Sequence, residues 1–224
     1  MCVHYPGATK MAAQGLIEWS DLKIQPDLDR LFQMAEYYPL REVPAMRIGD
    51  HGEWMLEGRR WGLLPRNWKP SDSSTTAKAF QRGKINARSE TIHTTWPWKH
   101  AFRQRCVLIA GGFCEPHPDG GESLYTLPDH HAFFIPGLWD RYEGDDGNGE
   151  PVTVDSCVML TCDANELVAS TRKGRLRQPV VMTEPDAVQR YCKPDTEHEE
   201  LRDLFVPWPG ERMACNREPP RSLF

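Results

Sequence analysis

The stretch that most constrains this chain is the apolar run Cys106-Val107-Leu108-Ile109-Ala110, entered through Arg103 and Arg105 and stopped by Gly111-Gly112. A short, unbroken apolar run between charges and turn residues reads as a strand buried on both faces. The chain resumes as Phe113-Cys114-Glu115, which leaves a carboxylate at the edge of a buried strand. Such a group is usually solvated or ion-paired, but burial can raise its pKa enough for proton transfer.

The rest of the chain is punctuated in the same way. Residues 45–48 and 53–56 alternate around Gly49-Asp50-His51-Gly52, a hairpin signal. Residues 122–126, 132–139 and 152–162 read as further strands, with Asp145-Asp146-Gly147-Asn148-Gly149 as a hairpin tip, and 179–182 as a last core strand. Helical spacing appears at 27–37, behind Pro26, and helices are also expected at 163–169, 184–192 and 197–205. Residues 12–20 are weakly patterned, and 206–224 read as a tail that is Pro-rich over 217–221. Many short strands and few helices give an α+β class on a mixed or mostly antiparallel sheet. No linker or repeat divides the chain, so 1–224 reads as a single domain.

Charge and cysteine usage narrow the function. The net charge of -5 requires any nucleic-acid contact to come from a local patch. No run approaches 18 apolar residues and no secretory leader is evident, so the expectation is a cytoplasmic protein without a membrane partner. The seven cysteines are odd in number and form no C-x-x-C, which fits reduced thiols. The histidines lack metal-ligand spacing, so no metal and no cofactor is expected.

Three places carry candidate chemistry. Removal of Met1 would leave Cys2 with a free α-amine beside its thiol, a 1,2-aminothiol that condenses with an aldehyde and closes to a thiazolidine. An α-amine of pKa ~7.7–8.0 keeps an unprotonated fraction at neutral pH. Lys84-Ile85-Asn86-Ala87-Arg88-Ser89-Glu90 has too few apolar residues for a core element, and is either a solvated turn or a polar face turned toward something. Arg172-Lys173-Gly174-Arg175-Leu176-Arg177 is the densest basic cluster, either a solvated loop or an anion site.

Five stretches together resemble the SRAP family, the SOS response-associated peptidases that act on abasic DNA. They are Met1-Cys2; Trp61-Gly62-Leu63-Leu64-Pro65; Ile85 through Thr91; Arg105-Cys106 through Gly112-Phe113-Cys114-Glu115; and Ala164 through Ala169 with Arg177-Gln178-Pro179-Val180-Val181. They stand in the family's order within about residues 1–190. The resemblance implies a branched β-sheet curled into a pseudo-barrel with peripheral helices. It implies a monomer whose Cys2 links covalently to ring-opened abasic sites in single-stranded DNA, after the protein removes its own Met1. Under it, Asn86 holds the terminal residue or opened sugar, Glu115 moves protons, and Arg88 and Arg177 contact phosphates. Trp61 and Trp68 would stack on or wedge beside bases, although most such residues are core. On this reading the protein would be nucleoid-associated while bound to DNA.

Two departures stand out. Val3-His4 replaces the family's usual Gly-Arg, and the histidine expected before the Arg-x-Pro motif falls on Thr171 or Arg172. His4 and Arg172 are the candidate substitutes. Two other readings compete: a cysteine peptidase acting on proteins in trans, and a degenerate module that binds single-stranded DNA without catalysis.

Overall fold

The computed structural model describes residues 4–16, 22–71, 74–174 and 176–218. In chain order, β1 (Tyr5–Pro6), α1 (Lys10–Leu16) and β2 (Leu22–Ile24) lead to a single helical turn, α2 (Asp29–Phe32), and β3 (Glu36–Tyr37). The hairpin β4 (Glu42–Ile48) and β5 (Trp54–Trp61) follows, then α3 (Ala77–Arg82), β6 (Asn86–Arg88) and α4 (Trp98–Ala101). Next come β7 (Arg105–Ala110), β8 (Phe113–Pro116), β9 (Glu122–Thr126) and the long hairpin β10 (Phe133–Asp145) and β11 (Pro151–Asp163). The chain finishes with α5 (Glu166–Ser170), β12 (Arg177–Pro179), α6 (Pro185–Cys192), two 3-10 turns and β13 (Ala214–Glu218).

Five strands close on themselves in the order β11-β10-β7-β4-β5, and parallel pairing of Ser156 with Arg60 and Cys157 with Trp61 completes the ring. Closure removes the exposed edges that an open sheet of this length would present. The run Cys106–Ala110 is the barrel's fully buried stave, as its composition requires. Strands β6 and β12 branch from β11, and β8, β9 and β13 form a separate three-stranded sheet. The pseudo-barrel with few peripheral helices is the α+β architecture expected.

The motif Trp61-Gly62-Leu63 makes the junction that positions β6. Trp61 ends β5 inside the barrel at 0% exposure, and Gly62 then adopts φ 136°, a conformation L side chains rarely tolerate. That turn lets Gly62 N–H donate to Cys157 O at 2.8 Å and Leu63 N–H to Lys84 O at 3.0 Å. The polar stretch after Lys84 is thereby laid alongside β11 as a strand, with Asn86 opposite Met159. It is neither core nor a solvated turn.

Three expectations fail for identifiable reasons. The helix expected over 27–37 is one turn, because Asp27 adopts φ 62° and Tyr37 leaves to pair with Tyr5 in a β-ladder. The strand expected over 179–182 is displaced: β12 ends at Pro179, Val180 N–H still donates to Leu160 O of β11 at 3.0 Å, and Met182 then meets Phe134 of β10 in a single bridge. The tail is not wholly a tail. Ala214–Glu218 pairs with β9 in full register, supplying that short sheet with an outer strand.

Candidate active site

Glu115 lies on β8, where the strand pattern buries it, and its side chain is 1% exposed. Burial raises its pKa above the ordinary carboxylate range, against the opposing charge of Arg172. Arg172 Nη2 approaches Glu115 Oε2 at 2.8 Å and is itself 1% exposed. Thr171 carbonyl accepts from Ser123 Oγ, Thr171 Oγ1 meets Tyr125 OH at 2.9 Å, and Lys173 N–H donates to Pro116 O at 2.7 Å. Pinned on both sides, Arg172 is directed onto the carboxylate. Of the two positions where the histidine was expected, Arg172 reaches Glu115, and Thr171 serves the backbone and Tyr125.

The start of the chain is held against the same strand. Cys114 N–H donates to His4 O at 3.3 Å, so His4 sits beside the residue preceding Glu115. The His4 ring is buried, stacks on Tyr38, and lies 3.4 Å from Glu122 and 3.9 Å from Glu36. Tyr5 then packs edge-on against Trp61 at 5.4 Å, and the Trp61 indole N–H donates to Ile85 O at 2.6 Å. One contiguous path therefore joins the N-terminal strand to the residue before Asn86. Met1 and Cys2 themselves lie outside the described residues. Among the internal thiols, burial pushes Cys106 and Cys162 up to about 12 and raises Cys157 and Cys192 likewise. These four are not thiolates near neutral pH.

The family model for SOS response associated peptidases, SRAP, matches residues 1–218. The chain belongs to the SRAP family. It is 25% identical over 212 residues to the abasic site processing protein YobE of Bacillus subtilis, covering 88% of this chain and 89% of that protein. It is also 25% identical over 198 residues to the Gallus gallus abasic site processing protein HMCES, covering 78% of this chain and 56% of that longer protein. Solved structures share the fold. A Bordetella bronchiseptica protein matches with TM-score 0.76 and 24% identity over 97% of this chain and 99% of that one. A Bacteroides thetaiotaomicron protein matches with TM-score 0.77 and 21% identity over 96% and 91%.

Within this SRAP domain the remaining candidate residues divide. Arg88 is exposed on β6 and makes no ion pair among the described residues. Arg177 is turned inward, where its guanidinium donates to both carboxylate oxygens of Glu90, to Asp163 and to Thr161 O. Burial works against the Glu90 charge, but Arg177 outweighs it and holds the carboxyl below its usual range. Trp61 and Trp68 are 0% and 3% exposed, Trp68 packing on Phe80 and Tyr142. Both belong to the core, and neither presents a face to a base. In the basic cluster at 172–177, Arg172 and Arg177 are thus neutralised by carboxylates, Lys173 is exposed, and Arg175 lies outside the described residues.

The sequence reading also passed over a second basic region. Between Arg59 and Arg105 stand eleven Lys and Arg against two Asp and Glu, in a chain whose net charge is negative. Regional charge counting, rather than local density, would have found it. The structure gathers part of it around one exposed aromatic ring, Trp96.

Proposed function

We propose that this SRAP protein processes abasic sites in single-stranded DNA by covalent capture on Cys2. The observation that carries the reading is the buried Glu115 carboxyl, held beside the segment that leads to the N-terminus. One residue, Val3, separates His4 from Cys2, a span of at most about 7 Å, so the tether of His4 at Cys114 limits how far Cys2 can lie from Glu115.

Before capture, water adds across the Met1–Cys2 peptide bond and releases methionine, freeing the α-amine; we assign this step to the protein itself. The amine then adds to the C1 aldehyde of the ring-opened abasic sugar, giving a carbinolamine. Glu115, raised toward neutrality, donates a proton to the departing hydroxyl, and loss of water leaves a protonated Schiff base. The Cys2 thiol adds to the iminium carbon while Glu115 takes up its proton, and the nitrogen keeps its own proton as the secondary amine of the thiazolidine. No oxidant or metal is required. Asn86, on a strand fixed by the Trp61–Ile85 contact, offers both an amide donor and an acceptor to the terminus or the sugar hydroxyls. Arg88, exposed one residue beyond Ala87, faces the flanking phosphate.

Intact mass after Met1 removal, and again after incubation with an abasic oligonucleotide, tests this directly. The expected product is one oligonucleotide added per chain with loss of one water. A chain that cleaves added proteins but forms no adduct would instead make it a peptidase in trans. Non-covalent binding alone would make it a binding module.

A further inference from the structure

The DNA reading leaves unexplained a cluster two residues upstream of Asn86. The Lys84 ammonium sits over three aromatic rings, 5.1 Å from the centroid of Phe80, 5.8 Å from Trp96 and 5.9 Å from Trp98. Phe80 and Trp98 are buried, whereas Trp96 is 47% exposed and meets Phe80 edge-on at 5.5 Å. Burial lowers the pKa of Lys84, and no carboxylate pairs with it among the described residues. A half-buried cation held by ring faces alone is anchored without being neutralised.

Lys99 follows Trp96 by three residues on α4, whereas Lys78 and Arg82, four apart on α3, share the helix face turned away from Phe80. All three are exposed, and none has an ion pair among the described residues. An exposed indole backed by a cation and followed three residues on by an exposed one is complementary to a strand of nucleic acid, which offers a π-face and a phosphate at every step. A duplex hides those π-faces in its stack. An acidic peptide would use the cations but would leave the ring unoccupied.

We propose that Trp96 is a stacking platform for an unpaired base of the DNA strand flanking the lesion, with Lys84 holding the ring and Lys99 meeting the adjoining phosphate. Lys84 stands two residues before Asn86 at the entry to β6, so the platform adjoins the strand that carries Asn86. This assignment rests on the DNA reading above and extends it to residues outside the reacting centre.

The test is binding of a labelled, undamaged oligo(dT) and of a duplex of equal length, followed by anisotropy, with adduct formation on abasic DNA measured in parallel. Trp96→Ala should weaken single-strand binding about tenfold and change duplex binding less than twofold, while Trp96→Phe keeps most of the affinity. The half-saturating DNA concentration for adduct formation should rise in Trp96→Ala in step with its loss of single-strand binding. Equal affinity of wild type and Trp96→Ala for the single strand overturns the platform while leaving capture by Cys2 intact. Equal losses on single strand and duplex overturn it too, because a purely electrostatic contact would do that. A wild-type protein that neither binds oligo(dT) nor forms an adduct removes the DNA reading itself, and the platform with it.

Discussion

Two regions of this chain are rich in positive charge, and they behave in opposite ways. The run from Arg172 to Arg177 is the denser, yet Arg172 is sealed against Glu115, and Arg177 against Glu90 and Asp163. The region from Lys78 to Lys99 is sparser, yet Lys78, Arg82, Arg88 and Lys99 stay exposed and make no ion pair among the described residues. Linear charge density does not report available charge. What decides it is whether the fold brings carboxylates to the cation, and β8 and β11 do so for the first region only.

The sharpest way to break this contrast is at Glu115. Glu115→Gln keeps shape and burial but removes the proton carrier, so adduct formation should slow by ~100- to 10,000-fold in single-turnover gels. A rate within threefold of wild type, in protein that still melts cooperatively, would mean that the buried pair is structural only.

Arg172→Met comes next. Removing one partner of a buried pair costs about 3–5 kcal/mol when the other stays charged. Glu115 can escape part of that by taking a proton, since Arg172 now opposes the effect of burial on its pKa. Chemical denaturation at neutral pH should therefore show a loss toward the low end of that range. The acidic limb of the adduct rate, where ionised Glu115 is needed to accept the thiol proton, should move to higher pH. A limb moving to lower pH would contradict the assignment of Arg172.

A titratable group at the same position should alter release. Guanidinium stays charged above pH ~12 and gives up no proton, so wild-type transfer of a preformed adduct to competitor abasic DNA should be slow. Arg172→His should speed it about tenfold or more, most clearly below pH ~6.5. His4→Ala separates the alternative: if transfer collapses in that variant alone, the acid is His4.

The smallest effect lies on the open side. Lys99→Gln should change stability by less than about 0.5 kcal/mol, because nothing described pairs with it. It should lower the salt slope of single-strand binding by about one. An unchanged slope would place the strand elsewhere.

Much of the framework was legible because it depends on local pattern. Cys106–Ala110 had to be buried, the Gly49–Gly52 turn had to join two strands, and Pro185 opens α6 where a proline fits a first helical turn. What was not legible depends on partners distant in sequence. The leucines at 28 and 31 carry helical spacing, but only the pairing of Tyr37 with Tyr5 shows why the helix stops. Trp61 and Trp68 look like base-stacking residues until β5 and α3 bury them, whereas Trp96, outside every motif, keeps its face open. Asn86 and Glu115 were readable as polar residues in unusual settings. Their linkage through His4, Tyr5 and Trp61 was not, because it spans the chain.

The central claim is capture of an abasic aldehyde by the N-terminal aminothiol. Peptide mapping by mass spectrometry of the adduct formed with an abasic oligonucleotide tests it most directly, comparing wild type, Cys2→Ala and a chain whose terminus is blocked by a tag. The account predicts a modified peptide that begins at Cys2 in wild type and no adduct in the other two. A denaturation-resistant adduct that forms equally well in Cys2→Ala, or that maps to an internal residue, would contradict it.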